Sequence, residues 1–205
     1  LPSMDPSKLP SLLRSKNPSK VPSINTSKCP GMDPSRLSIV LPSKETSSLP
    51  SFLCFTSESI VEAVKLFYDN QTLAETCYGE IGTWPTCKVT DLNGIFENPP
   101  SKMKFNEDLS NWDISSVTSL QDAFSRAKAF NGDISSWDIS SVTSLEKTFY
   151  YASSFNGNLS TWDISSVTSL EKTFYYASSF NGNLSTWDIS SVASLRDAFS
   201  FAKAF

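Results

Sequence analysis

Four aspartates recur at one spacing. Asp113, Asp138, Asp163 and Asp188 each follow a tryptophan, and each lies 25 residues from the next. Aligned carboxylates, helped by serine and backbone oxygens, are the hard donors that calcium takes, so the row is a candidate metal site. The same residues have a plainer use. An aspartate accepts hydrogen bonds from a serine two residues on, as Ser165 stands to Asp163. No GGxGxD signature accompanies the row. Like charges stacked at roughly 5 Å repel, so something must offset them.

A second pair of columns is notable because it varies. The positions hold Ser125 and Arg126, then Tyr150 and Tyr151, Tyr175 and Tyr176, then Ser200 and Phe201. Counting about 100° per residue from Leu145 places Tyr150 and Tyr151 off the apolar face. Exposed tyrosines suit a contact surface for a protein or a glycan. Stacking that merely shields neighbouring units is the competing reading.

Other chemistry is thinly represented. The chain has no histidine, which removes Ser-His-Asp and Cys-His catalysis and His-ligated zinc. No nucleophile–base pair or phosphate loop is present, so an enzyme is not expected. None of the four cysteines forms CxxC. Cys77 and Cys87 flank a short Gly-containing segment; a disulfide between them is one reading and free buried thiols the other. Apart from calcium no cofactor is expected. No run of about 20 apolar residues is present, so no membrane span is expected. The net charge is −4, and no nucleic-acid partner is expected.

These residues sit in an internal repeat. Trp137–Thr161 reads WDISSVTSLEKTFYYASSFNGNLST, and Trp162–Thr186 repeats it without change. Residues 105–205 divide into units 105–129, 130–154, 155–179 and 180–204, with Phe205 opening a fifth. Thirteen of 25 positions are identical in all four, so the units must share one backbone course. A period of 25 lies in the leucine-rich-repeat range. Leu159, Trp162, Ile164 and Val167 follow LxxLxLxxN, with valine where asparagine is usual. LSTWDI therefore reads as a short strand with apolar side chains inward. Leu170, Phe174 and Ala177 fall at i, i+4, i+7 and read as a short helix, with Thr168 and Glu171 as a capping box. The predicted fold is an α/β repeat, a leucine-rich-repeat-like solenoid of short parallel strands and short helices.

Two segments precede the array. In residues 1–51, nine of the twelve prolines fall on every fourth position, nearly always followed by serine. Such an xPSx tetrapeptide repeat cannot pack a core and reads as a disordered stalk. Residues 52–104 read as an N-terminal cap helix and a divergent first repeat. Within them TSESIVEAVKLFY places Ile60, Val64 and Phe67 on one face, with Ser59 and Glu62 as a capping box. Ile81, Trp84, Val89, Leu92 and Phe96 then take the spacing of the later units. Asn25, Asn70, Asn158 and Asn183 stand in N-x-S/T sequons, which matter in a secreted eukaryotic protein. The chain lacks an initiator methionine and stops at the first residue of a unit, so it reads as part of a longer protein.

The pattern WDISSVTSLxxxFxxAxxFNxxLS, over residues 58–205, resembles the repeat of BspA-like leucine-rich-repeat surface proteins. It is closer still to a related repeat of unknown function in lipoproteins of wall-less bacteria and in surface proteins of unicellular algae. The TWPTCKV of the lead-in unit departs from the usual WDxSxV. The resemblance implies an extracellular or cell-surface location and a non-catalytic recognition or adhesion role. The alternative is a structural wall or matrix component, with stalk and array as anchor and spacer.

Overall fold

The computed structural model describes residues 54–205. The stalk predicted for residues 1–51 lies outside them, as does Asn25.

Helix α1, Ser57–Asp69, forms where its apolar spacing predicts, and buries Ile60, Ala63, Val64 and Phe67. Its cap is Thr56, not Ser59. The Thr56 side chain accepts from the Ser59 N–H while the Ser59 hydroxyl accepts from the Thr56 N–H. That reciprocal pair satisfies two donors the first helical turn would leave open. Helix α2, Gln71–Tyr78, follows at once, capped by the Asn70 side chain, which accepts from the Leu73 N–H. A 3₁₀ turn at Ile81–Thr83 then leads into the stacked units.

The cap is tied to its neighbour at several points. The Ser57 hydroxyl accepts from the N–H groups of Thr90 and Asp91, and Phe55 N–H donates to the Pro85 carbonyl. The Phe67 ring meets Trp84 and Phe105 edge-on at 6.3 and 6.4 Å. The first apolar layer thus has a cover on its outer side.

Each later unit lies on the one before, with the same residues above one another. Phe105, Phe130, Phe155, Phe180 and Phe205 form one aromatic column, with successive centroids 5.7 to 6.0 Å apart. Phe96, Phe124, Phe149, Phe174 and Phe199 form a second, at 5.2 to 5.7 Å. The columns touch where one unit passes into the next, as Phe149 does Phe155 at 3.8 Å. Leu, Trp, Ile and Val fill the remainder of the core, as their spacing implies. A unit's burial comes from its successor. Ile164 is 1 % exposed beneath the following unit, whereas its counterpart Ile189 in the last is 51 % exposed. Covering such a side chain is worth about 1.5–3 kcal/mol.

The secondary structure inside a unit differs from the expectation. Among the described residues no extended strand forms. Parallel pairing is confined to single-residue bridges, among them Ser119, Ser144, Ser169 and Ser194 in one row. Tight turns take up the LSTWDI stretch: Trp162 N–H donates to Leu159 and Val167 N–H to Ile164, and the Asp163 side chain holds the Ser165 N–H.

The predicted repeat helices are chains of linked turns instead. In the unit from Phe130, the N–H groups of Thr148, Tyr150 and Ala152 donate three residues back, within the unit. Those of Leu145, Lys147, Phe149 and Tyr151 leave it and donate to Ser169, Glu171, Thr173 and Tyr175 of the next, at 2.8 to 3.0 Å. The alternation requires a left-handed residue every fourth position: Lys147 and Tyr151 have φ of 53° and 56°, and Lys172 and Tyr176 repeat them at 53° and 57°. Such residues cost roughly 1–2 kcal/mol each and break any right-handed helix. The outgoing bonds offset that cost. Thr168, assigned to a helix cap, instead donates its N–H and hydroxyl to the Thr143 carbonyl one unit back.

Candidate functional site

The columns sort by what their side chains touch. Each tryptophan indole donates backward: Trp112 to the carbonyl of Ile81, Trp137 to Leu109, Trp162 to Ile134 and Trp187 to Leu159. The asparagines form an amide ladder. Asn131, Asn156 and Asn181 each donate a backbone N–H to the side-chain oxygen of the asparagine one unit back, at 2.6, 2.7 and 2.8 Å. Thr148 and Thr173 are fully buried and their hydroxyls bridge two carbonyls; for Thr173 these are Leu145 and Leu170, both at 2.8 Å. Gly132 is required by close approach, since a Cβ there would collide with the Glu107 carbonyl oxygen.

The aspartate row serves its own turns. Asp113, Asp138, Asp163 and Asp188 accept from the N–H groups of Ser115, Ser140, Ser165 and Ser190 at 2.9 to 3.1 Å. The hydroxyls of Ser115 and Ser140 add second bonds at 2.7 Å. The bonds from the Ser165 backbone and side chain hold the Asp163 carboxyl below its ordinary range, and Ser190 does the same for Asp188. For Asp138 the Ser140 hydroxyl leads, partly opposed by the Asp163 charge. The calcium reading of the four aspartates gains no support from this geometry. Among the described residues no group of three or more acidic, His or Cys side chains is placed to hold a metal. The row contributes one carboxylate per unit, and one oxygen of each closes its own turn. A neighbouring column shows that charge is dispensable for such a turn: Asp108 and Asp133 there give way to Asn158 and Asn183 with the same bond to the serine two residues on.

The cysteine pairing is corrected. Cys87 is joined to Cys54, with Cα atoms 5.6 Å apart, and not to Cys77, which is itself disulfide-bonded. The bridge lies beside the Phe55–Pro85 hydrogen bond and fastens the start of α1 to the lead-in unit. A reading built on the ten-residue spacing of Cys77 and Cys87 could not see that contact.

The tyrosines form a half-buried strip. Tyr151 and Tyr176 stack at 4.6 Å and 8°, and Tyr150 and Tyr175 at 5.2 Å and 15°. Arg126 extends the strip at one end, its guanidinium 5.8 Å from the Tyr150 ring centroid and 3.8 Å from a Glu97 oxygen. Phe201 extends it at the other, stacked on Tyr176 at 4.3 Å. Ring faces therefore lie against each other along the array. Desolvation, and then the neighbouring phenols, push the Tyr175 pKa up and keep its hydroxyl a donor.

One feature had no counterpart in the sequence reading. Phe67, Glu75, Glu80, Ile81, Glu107 and Asp108 are among the residues lining a cavity of about 330 Å³ between the cap and the first full unit. Burial first, then the charges of Glu75 and Glu80, raise the Glu107 carboxyl. Those acids lie up to 32 residues apart in sequence, so only the fold brings them together.

No described helix is long and apolar enough to cross a membrane. Neither a curated protein nor a solved structure matches the chain. One family model does, over residues 61–169 and 100–205, and that family is described as Mycoplasma protein of unknown function, DUF285. With the repeat units and their lead-in spanned by that model, the chain belongs to the DUF285 family.

Proposed function

We propose that the array is a leucine-rich-repeat-like solenoid of the BspA type, acting outside the cell as a non-catalytic recognition or adhesion module. Its contact surface is the strip of Tyr150, Tyr151, Tyr175 and Tyr176. One observation carries this. The repeated columns are used internally: Trp, Asn and Thr bond one unit to another, Phe fills the core, and Asp closes a turn within each unit. The tyrosine columns vary between units and lie half out of the core. Because their faces stack on each other, they offer edges and hydroxyls to a partner. That suits hydrogen bonding to a protein or glycan surface more than ring-face stacking on a sugar. The Cys54–Cys87 disulfide supports an oxidising compartment.

The test is attachment. The Tyr151→Ser, Tyr176→Ser double variant is expected to keep its circular dichroism and a cooperative melt. It is expected to lose binding to a panel of immobilised extracellular proteins and glycans on which the parent binds. Equal binding by both proteins would overturn the assignment of the strip.

A further inference from the structure

Four of the six tyrosines stand in two parallel stacks across one junction between units, and this arrangement is a chemical opportunity as well as a surface. We infer that Tyr150, Tyr151, Tyr175 and Tyr176 are a site of oxidative phenol coupling. A one-electron oxidant of the peroxidase class, using hydrogen peroxide, joins Tyr151 to Tyr176 or Tyr150 to Tyr175 through a carbon–carbon bond. The inference does not depend on the recognition reading.

The chemistry balances as follows. Each phenol gives up one electron and its hydroxyl proton, leaving a phenoxyl radical. The two radicals pair their electrons in a bond between ring carbons ortho to oxygen. Each ring then moves its displaced ortho hydrogen to its own oxygen and regains aromaticity. Hydrogen peroxide takes the two electrons and two protons and leaves as two waters. The protein loses two hydrogens per link.

The geometry favours this pairing over others. The new bond begins by overlap of π lobes perpendicular to both rings, and Tyr151 and Tyr176 present those lobes to each other within 8° of parallel. Tyr150 and Tyr151, adjacent in sequence, meet at 70° and do not. The backbone fixes the rings. Tyr151 N–H donates to the Tyr175 carbonyl at 2.8 Å, and Tyr176 N–H to Ser200 at 2.9 Å. Holding two reactants in register converts a bimolecular step into an effectively unimolecular one. Half-burial leaves ring edges open to an oxidant, while the stacking partner covers the faces against coupling to another molecule. The other two tyrosines are internal controls. The Tyr68 ring meets Phe105 at 88°, and Tyr78 meets Phe55 and Trp84 at 69° and 72°.

The experiment treats the dilute full chain with a peroxidase and hydrogen peroxide. The expected product is a monomer lighter by two hydrogens per link, with dityrosine fluorescence. Trypsin should release residues 148–172 joined to residues 173–196; these differ at Thr168 against Ala193 and in ending with Glu171-Lys172 against Arg196, so the link between units is identifiable by mass. In the Tyr150→Phe, Tyr151→Phe variant the linked monomer should fall at least about tenfold, the loss expected when proximity is removed. Phenylalanine already occupies this column at Phe201, stacked on Tyr176, so the variant keeps its ring packing. A linked monomer in equal yield from that variant would place coupling elsewhere and overturn the inference. So would coupling that yields only dimers, or no loss of hydrogen at all.

Discussion

The indole N–H of Trp162 donates to the carbonyl of Ile134, 28 residues earlier and one unit below, at 3.2 Å. The ring is 2 % exposed, so the bond is made away from water. Trp162→Phe keeps an aromatic filler but leaves that carbonyl without the indole and opens space beside Phe149. The expected loss is about 2–3 kcal/mol, combining an unmade buried hydrogen bond with a partial cavity. Urea unfolding with an unchanged slope would register it. A loss under about 0.5 kcal/mol, the size of an ordinary surface change, would show that the indole bond contributes nothing.

The Cys54–Cys87 bridge closes a span of 33 residues that includes both helices. By the chain-entropy account, removing it with Cys54→Ser, Cys87→Ser costs about 3–4 kcal/mol. Local exchange should reveal the consequence first in α1. Hydrogen exchange at Ile60, Val64 and Phe67 should accelerate more than at Leu145 or Leu170. Uniform acceleration would show that the cap and array unfold as one body.

The aspartate turns predict an acid-side loss of stability. The carboxyls of Asp163 and Asp188 are held below their ordinary value by bonds from Ser165 and Ser190 that exist only in the folded chain. Their contribution is complete above the unfolded value of about 3.9. It is lost as pH falls through the lower folded value. Asp163→Asn with Asp188→Asn keeps an acceptor, as Asn158 and Asn183 do naturally. Melting temperature followed on acidification below about pH 4 should therefore fall less steeply in the variant. An identical slope would show that these turns do not sense the proton.

Glu107 predicts the opposite sign. Burial and the charges of Glu75 and Glu80 raise its carboxyl above the ordinary value, so the folded state holds this proton more tightly than the unfolded one. Its stabilising effect is full below the unfolded value and lost as pH rises through the folded one. At neutral pH the charge is a net cost. Glu107→Gln should raise the melting temperature by about 1–2 °C, the scale of an exposed charge contact in a domain this size. A fall instead would mean that the charge has a partner the cavity geometry does not reveal.

Repeat deletion separates display from scaffolding. Removing residues 155–179 joins Ser154 to Phe180, a junction with the same residues on both sides as the natural one. The shortened chain should still melt cooperatively, because each unit bonds to its immediate neighbours. It also loses Tyr175 and Tyr176, so attachment should weaken even though the fold persists. Undiminished attachment would favour the spacer role over recognition.

The sequence was most informative where chemistry is local or strictly repeated. The amphipathic spacing of Ile60, Val64 and Phe67 needs only one helical face, and α1 follows. The inward positions of Leu159, Trp162, Ile164 and Val167 were readable because each returns every 25 residues. The backbone between them was not. Spacing of i, i+4, i+7 at Leu145, Phe149 and Ala152 suits a helix, but equally suits linked four-residue turns with the same side chains inward. What decides is the left-handed φ at Lys147 and Tyr151. Neither is glycine, so nothing in their identity announces it. They adopt it because alternate N–H groups find carbonyls in the next unit. The Cys54 partner and the acidic cavity were hidden for a related reason: both are juxtapositions across the fold, with no signature in spacing.

The outgoing N–H bonds of Leu145, Lys147, Phe149 and Tyr151 all end in the next unit and none reaches beyond it. A chain built this way has a mechanical character. A load applied to one end of such an array is resisted first by the outermost junction alone, while the junctions behind it remain intact. Yielding would release one unit at a time, and each released unit of 25 residues pays out roughly 80–90 Å of slack. Tension would then be met by stepwise lengthening rather than by sudden rupture.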